Sequence, residues 1–354
     1  MRPNRLIGGL LALNVALISI GALAIGDGGA TTVGSATTAG GATTTGSPRI
    51  HVGLVFDTGG KNDKSFNEAA WRGLQRARDE LGVSIEFIEP SEGADRGTAL
   101  RTLAARHLDL VIGVGFIFGR DLERLADKFP GVHFAGIDYS PSDGVTIPPN
   151  LVGLRFREQE GSFLVGAIAA MITKTQVVGF VGGMRIPLIR KFEAGYTAGV
   201  HYVCPACRVL AAYAGSEPKA FSDPTLGQEL ATAQYDDGAD VIFHAAGKTG
   251  DGVFAAARER DAKAIGVDSD QFAMAPCCVV TSMVKRVDVA VVQEVRDVIA
   301  GKFHGGLREL GLAEDGVTFV TDDHNRALLP ADVVQRANQI RSDIIAGKIA
   351  VPDR

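Results

Sequence analysis

Two α/β lobes, each a doubly wound parallel sheet, are what this 354-residue sequence predicts, and three observations predict them. Short apolar segments alternate with helical ones along most of the chain, the pattern of a parallel sheet covered by helices on both faces. The alternation runs through twice, and the fourth strand of each run ends alike, in Phe134-Ala135-Gly136-Ile137-Asp138 and Ala264-Ile265-Gly266-Val267-Asp268. The 44 glycines against 6% aromatic residues suit many tight strand-to-helix turns, and so long a chain exceeds a single hydrophobic core.

The first segment is an address. Arg2 and Arg5 precede an almost wholly apolar run over 6–24, with small residues at Ala22 and Ala24, which is the layout of an export signal. The run also approaches the length of a membrane span, so residues 1–26 are expected to be either a signal peptide or an N-terminal anchor. Residues 27–48, rich in Gly, Thr and Ala, are expected to form a flexible linker. The fold is expected from residue 49.

In the first run, strands are predicted at 50–56, 84–88, 108–114 and 132–137. The first is followed by a helix with apolar positions at Phe66, Ala69, Ala70, Leu74, Ala77 and Leu81, and with Ser65 as N-cap. In the second run they are predicted at 176–181, 208–213, 240–244 and 263–267; Phe192, Tyr196 and Val200 mark the face of its first helix. A strand at 278–284, a helix at 287–299, a strand at 316–320 and a helix at 331–346 complete the chain. Crossings between lobes are expected near 150–160, 270–280 and 310–320. Lobe 1 is thus 49–155 plus 276–315, and lobe 2 is 156–275 plus 316–354. Ligands of such sheets bind beyond the carboxyl ends of the strands, here Asp57, Gly115, Asp138, Gly182, Ser216, Gly247 and Asp268.

Several functions are excluded or left without support. The net charge of −5 gives no general attraction to nucleic acid. Gly247-Lys248-Thr249 resembles the end of a phosphate-binding loop, but Ile242 occupies the position of the required earlier glycine. There is no G-x-S-x-G nucleophile elbow. The histidines lack metal-binding spacing, and no metal, cofactor or catalytic residue is expected. Cys204 and Cys207 close a turn, and in an exported protein a local structural disulfide is the expected reading. The pairing of Cys277 and Cys278 is left open.

The densest polar cluster, Asp57-Thr58-Gly59-Gly60-Lys61-Asn62-Asp63-Lys64-Ser65-Phe66-Asn67, joins a strand-end acid, two glycines and a helix start. Together with Ala70-Trp71-Arg72-Gly73, it resembles the first motif of the basic membrane protein family, the purine-nucleoside-receptor-type solute-binding proteins of ABC importers. Further similar motifs follow in order: Gly179 to Met184, Pro187 to Gly195, Tyr213 to Ser216, Ala245-Ala246-Gly247, Gly266 to Gln271 and Thr281 to Lys285. The resemblance spans roughly residues 50 to 350. It implies a type I periplasmic-binding-protein fold, two lobes joined by a three-strand hinge.

It also implies a site. Phe66 and Phe221 would stack on the two faces of a purine, and Asp57 and Asp138 would accept hydrogen bonds from its N–H groups. Asp268 would grip two pentose hydroxyls, with Lys285 donating beside it, Gly247 bringing backbone close, and Ser65 or Asn67 adding a hydrogen bond. An excess of carboxylates favours nucleosides over nucleotides.

Three departures from the family pattern stand out. Glu217 to Ala220 intervene before Phe221 and could displace its ring; Lys248 brings a charge toward the sugar side; and no cysteine precedes position 204, which excludes lipidation after the leader. The expected function is an exported, monomeric solute receptor that hands a nucleoside to an ABC permease. The alternatives are a ligand-sensing regulatory receptor on the same fold or a binder of another small polar solute such as a sugar.

Overall fold

The computed structural model describes residues 50–90 and 96–354; the expected leader (1–26) and linker (27–48) lie outside the described residues. The chain starts β1 (His51–Val55), α1 (Phe66–Leu81), β2 (Ser84–Ile88), α2 (Arg96–Ala104), β3 (Leu110–Val114), α3 (Gly119–Lys128), β4 (His133–Ile137), β5 (Leu151–Phe156). It continues α4 (Glu158–Ile172), β6 (Val177–Met184), α5 (Pro187–Val203), β7 (Arg208–Gly215), α6 (Pro224–Asp236), β8 (Val241–Ala245), α7 (Gly250–Glu259), β9 (Lys263–Asp268), β10 (Val279–Lys285). It ends α8 (Val287–Ile299), β11 (Gly306–Leu310), β12 (Val317–Phe319), α9 (Ala331–Ile345).

Two six-stranded sheets result, in the orders β11-β5-β4-β3-β1-β2 and β12-β10-β9-β8-β6-β7. Every strand pair is parallel except β10 with β12. This is the doubly wound, two-lobed fold expected from the sequence. The central strands are apolar on both faces because helices cover both, and β3 and β8 are buried at every position.

The structure corrects the sequence reading in two places. The strand expected at 278–284 pairs with β9, Met283 opposite Val267, so it belongs to the second sheet and the crossing falls at Arg286 rather than near 276. An all-apolar strand reads the same in either sheet, which is why the pattern could not assign it. The sequence reading also left out β5, α4 and β11. Helix α4 shows no polar stripe because α5 packs on one side and β10, β12 and α9 on others, and a helix apolar all round has lost its period.

The chain passes between sheets at 157, 286 and 311–316. Neighbouring passes are hydrogen-bonded through the backbone: Arg157 N donates to the Leu310 carbonyl at 3.0 Å, and Arg286 N to that of Gly316 at 2.8 Å. Cys204 and Cys207 form a disulfide that closes the turn between α5 and β7, and Cys277 and Cys278 form a second one ahead of β10.

Candidate functional site

The carboxyl ends of both sheets meet at one cleft, with about 550 Å³ of unfilled space counting its open mouth. Eight of the nine residues singled out in the sequence line it: Asp57, Phe66, Asn67, Asp138, Phe221, Gly247, Asp268 and Lys285. The ninth, Ser65, is fully buried just behind the wall.

The α1 loop is held by an acid other than the expected cap. Asp63 Oδ1 accepts from the backbone N–H groups of Ser65 (2.9 Å) and Glu68 (3.0 Å), while Oδ2 accepts from that of Asn67 (2.9 Å). Four orphan donors at a helix start invite such a carboxylate. Ser65 makes no side-chain cap and instead donates its hydroxyl to Asp268 Oδ2 at 2.7 Å, from lobe 1 to lobe 2. Asn67 Nδ2 donates to Asp63 (2.8 Å) and to the Thr58 carbonyl (3.2 Å), and its Oδ1 accepts from Asp57 N (2.9 Å). Both side chains, expected to touch a ligand, are thus engaged within the protein and position Asp268 and Asp57.

Asp57 leaves β1 beside Gly115, the last residue before the turn after β3. Gly115 has φ 117°, and a Cβ there would come within 2.5 Å of Asp57 Oδ2; only glycine lets the two strand ends meet. Burial raises the Asp57 carboxyl to about pH 6, against the Thr58 amide and the Arg96 guanidinium that favour its charge. Arg96 lies 3.9 Å from Asp57 and donates to Thr58 Oγ1 at 2.9 Å.

The repeat seen in sequence recurs in backbone geometry. Asp138 after β4 and Asp268 at the end of β9 are both left-handed, with φ 58° and 64°, a region that aspartate tolerates better than most residues. Between them Lys285 is 1% exposed. Its Nζ lies 2.5 Å from Asp138 Oδ1 and 3.1 Å from Glu158 Oε1. The rings of Phe66 and Phe156 each lie 5.0 Å away, within cation–π range. Burial opposes the charge of Lys285, but Asp138, Glu158 and Asp268 together outweigh it and hold the ammonium above its ordinary range. Burial pushes Asp268 to about 7, with Lys285 and the Ser65 hydroxyl opposing, and raises Asp138 as well, with Lys285 opposing and Glu158 adding.

Phe221 lines the cleft, with Glu217 to Ala220 running just ahead of it. Residues Pro218–Phe221 form one 3-10 turn, and the ring rests over Gly183, where a Cβ would lie 2.2 Å from it. Phe221 meets Phe116 edge-on at 6.4 Å. Lys248 is exposed, does not line the cleft, and acts on Asp251.

Sequence reasoning missed Glu158, Phe116, Phe192 and Arg96. Phe116 directly follows the strand end Gly115 and was legible from that position. Glu158 is fully buried and also pairs with Lys191 at 3.4 Å, but its sequence neighbourhood, Arg157-Glu158-Gln159-Glu160, gives no sign of which acid turns inward.

Two sheets facing across a cleft of buried acids, a buried lysine and aromatic rings are the architecture of a two-lobed small-molecule-binding protein. Residues 50–354 match the family model described as ABC transporter substrate-binding protein PnrA-like, and the chain belongs to that family. It is 37% identical over 325 residues to the CD4+ T-cell-stimulating antigen of Listeria monocytogenes, covering 86% of this chain and 88% of that one. To basic membrane protein A1 of Borrelia garinii it is 35% identical over 305 residues, 85% and 88% of the two chains. A solved ABC transporter solute-binding protein from Aeropyrum pernix superposes with a TM-score of 0.74 at 31% identity, covering 86% of this chain and 94% of that one.

Proposed function

We propose that this substrate-binding protein captures a nucleoside, with a purine base, between its lobes outside the cytoplasm and delivers it to an ABC permease. One observation carries the reading: the cleft joins aromatic rings from both lobes, Phe66 and Phe221, to a cluster of strand-end carboxyls around one lysine. A flat heterocycle suits the rings, each stacking contact contributing about 1–3 kcal/mol. A vicinal diol suits Asp268, whose carboxylate can accept two hydroxyl hydrogens at once. Asp57 and the Asp138 oxygen not facing Lys285 are left for N–H donors on the base.

The charge balance favours a ligand without phosphate. Among the described residues, Asp57, Asp63, Asp138 and Asp268 line the cleft and Lys285 is the only lysine or arginine in its wall; that lysine is already paired with Asp138, and Arg96 beside the wall is engaged with Asp57 and Thr58. A phosphate would meet carboxylates with no free cation, a cost that works as discrimination.

The test is a calorimetric titration with adenosine, guanosine, inosine, free bases, nucleotides and sugars. Nucleosides should bind at micromolar or tighter dissociation constants, roughly −8 kcal/mol, and the corresponding 5′-monophosphates far more weakly. Binding of ribose or a hexose with no response to any nucleoside overturns the reading.

A further inference from the structure

Next to the main cleft lies a second cavity, about 820 Å³ counting its opening, and the two share three wall residues: Phe116, Asp138 and Leu188. Its own walls come from β4's following loop at Ser140, from Arg155 and Phe156 at the end of β5, and from Ile186 and Lys191 around the start of α5. Its two cations are already engaged. Arg155 pairs with Glu309 at 3.6 Å, and Lys191 with Glu158 at 3.4 Å and with the Phe156 carbonyl at 3.3 Å. With its cations paired, with Asp138 and Glu158 both paired to Lys285, and with Phe116 and Leu188 in the shared wall, the space offers apolar contact without a free charge to recruit an ion.

We propose that this cavity is a second compartment of the ligand site, and that it admits purine nucleosides enlarged by a flat apolar arm on the exocyclic amine of the base. The inference rests on the nucleoside reading above. In that reading a base N–H meets Asp138, and Asp138 is the one hydrogen-bonding side chain among the three residues common to both cavities. A substituent on the amine facing Asp138 is therefore directed past Phe116 and Leu188 into the second compartment. Burying an aromatic arm against these side chains is favourable in proportion to the apolar area it removes from water, and the compartment opens to solvent near exposed Ser140 and Pro187, so a long arm is not sterically stopped.

The experiment is isothermal titration of the full chain and of two variants, Ser140→Trp and Ile186→Trp, with adenosine and with N6-benzyladenosine. Neither substituted residue lines the main cleft. The wild type should bind the benzylated nucleoside within about tenfold of adenosine, about 1.4 kcal/mol. At least one tryptophan variant should lose N6-benzyladenosine by about tenfold or more while keeping adenosine, the discrimination expected when a pocket is filled. A wild type that binds adenosine but rejects the benzylated form by more than about a hundredfold overturns the second compartment alone. So does retention of both ligands by both variants when each melts as the wild type does. If neither nucleoside binds the wild type, the nucleoside reading itself falls.

Discussion

Ser65 in lobe 1 donates its hydroxyl to Asp268 in lobe 2 at 2.7 Å, so the acid assigned to a pentose also fastens the two lobes. Four more bonds cross at the same place: Ser65 Oγ to the Val267 carbonyl (3.4 Å), Ser269 Oγ to the Ser65 carbonyl (3.0 Å), Gln271 Nε2 to the Lys64 carbonyl (3.1 Å), and Arg72 Nη2 to Ser269 Oγ (3.0 Å). In the proposed reading, ligand grip and lobe contact therefore share one residue.

Ser65→Ala removes a hydrogen bond to a carboxylate, typically about 1.5–3 kcal/mol. Nucleoside affinity is expected to fall by about tenfold or more although Ser65 itself does not line the cleft. Titration calorimetry on a variant whose circular dichroism matches the wild type reads this out. Unchanged affinity would detach the cross-lobe bond from binding.

Binding should depend on pH around neutrality. Asp268 titrates near 7 because burial disfavours its charge, and the ionised form is the one that accepts two hydroxyls. Affinity is thus expected to weaken as pH falls from 8 to 6, by about tenfold for one group that must ionise. Asp268→Asn should flatten that profile as well as weaken binding. Stability runs the other way. Asp57 and Asp268 are both held above the ordinary 3.8, near 6 and 7, so between about pH 4 and 7 these two groups hold more protons in the folded chain than in the unfolded one. Their contribution to stability therefore falls as pH rises through that window. Denaturant melts of the unliganded protein at pH 5 and 8 measure it, with Asp268→Asn reducing the difference.

Lys285→Met is expected to destabilise the fold by about 3–5 kcal/mol, the cost of leaving buried partners without their counter-charge. Asp138, Glu158 and Asp268 would face one another around an apolar side chain. Adding Glu158→Gln to Lys285→Met should recover part of the loss, which a volume effect alone would not allow. Urea unfolding of wild type, single and double variants decides it.

Replacing either ring tests the stacking geometry. Phe66→Ala and Phe221→Ala should each weaken purine nucleosides by about 1–3 kcal/mol. Phe66→Leu, which keeps apolar bulk but no π-face, should resemble Phe66→Ala if stacking rather than burial matters. Affinities for inosine and adenosine in the three variants supply the comparison.

Much of this architecture was legible from residue order. The paired endings at Asp138 and Asp268 announced a repeated sheet, and the run from Asp57 to Asn67 announced the cleft, because strand ends and helix starts carry strong local signals. What stayed hidden depends on contacts remote in sequence. Val279 to Lys285 pairs with β9 through backbone bonds that leave no mark on composition, and α4 loses its period by being covered all round. Asp63, not Ser65, accepts the helix-start amides for a related reason. Both are plausible caps two residues apart, and only the nearness of Asp268, some two hundred residues away in the chain, decides which one turns outward.

The hydrogen bonds that join Arg157 to Leu310 and Arg286 to Gly316 bind neighbouring connections into a narrow ribbon. Such a ribbon resists sliding, since its strands would have to slip past one another, and bending across its width is the motion it leaves open. In the proposed reading, a bound solute is therefore expected to leave through the rim opposite the ribbon, as from a door that turns on one edge.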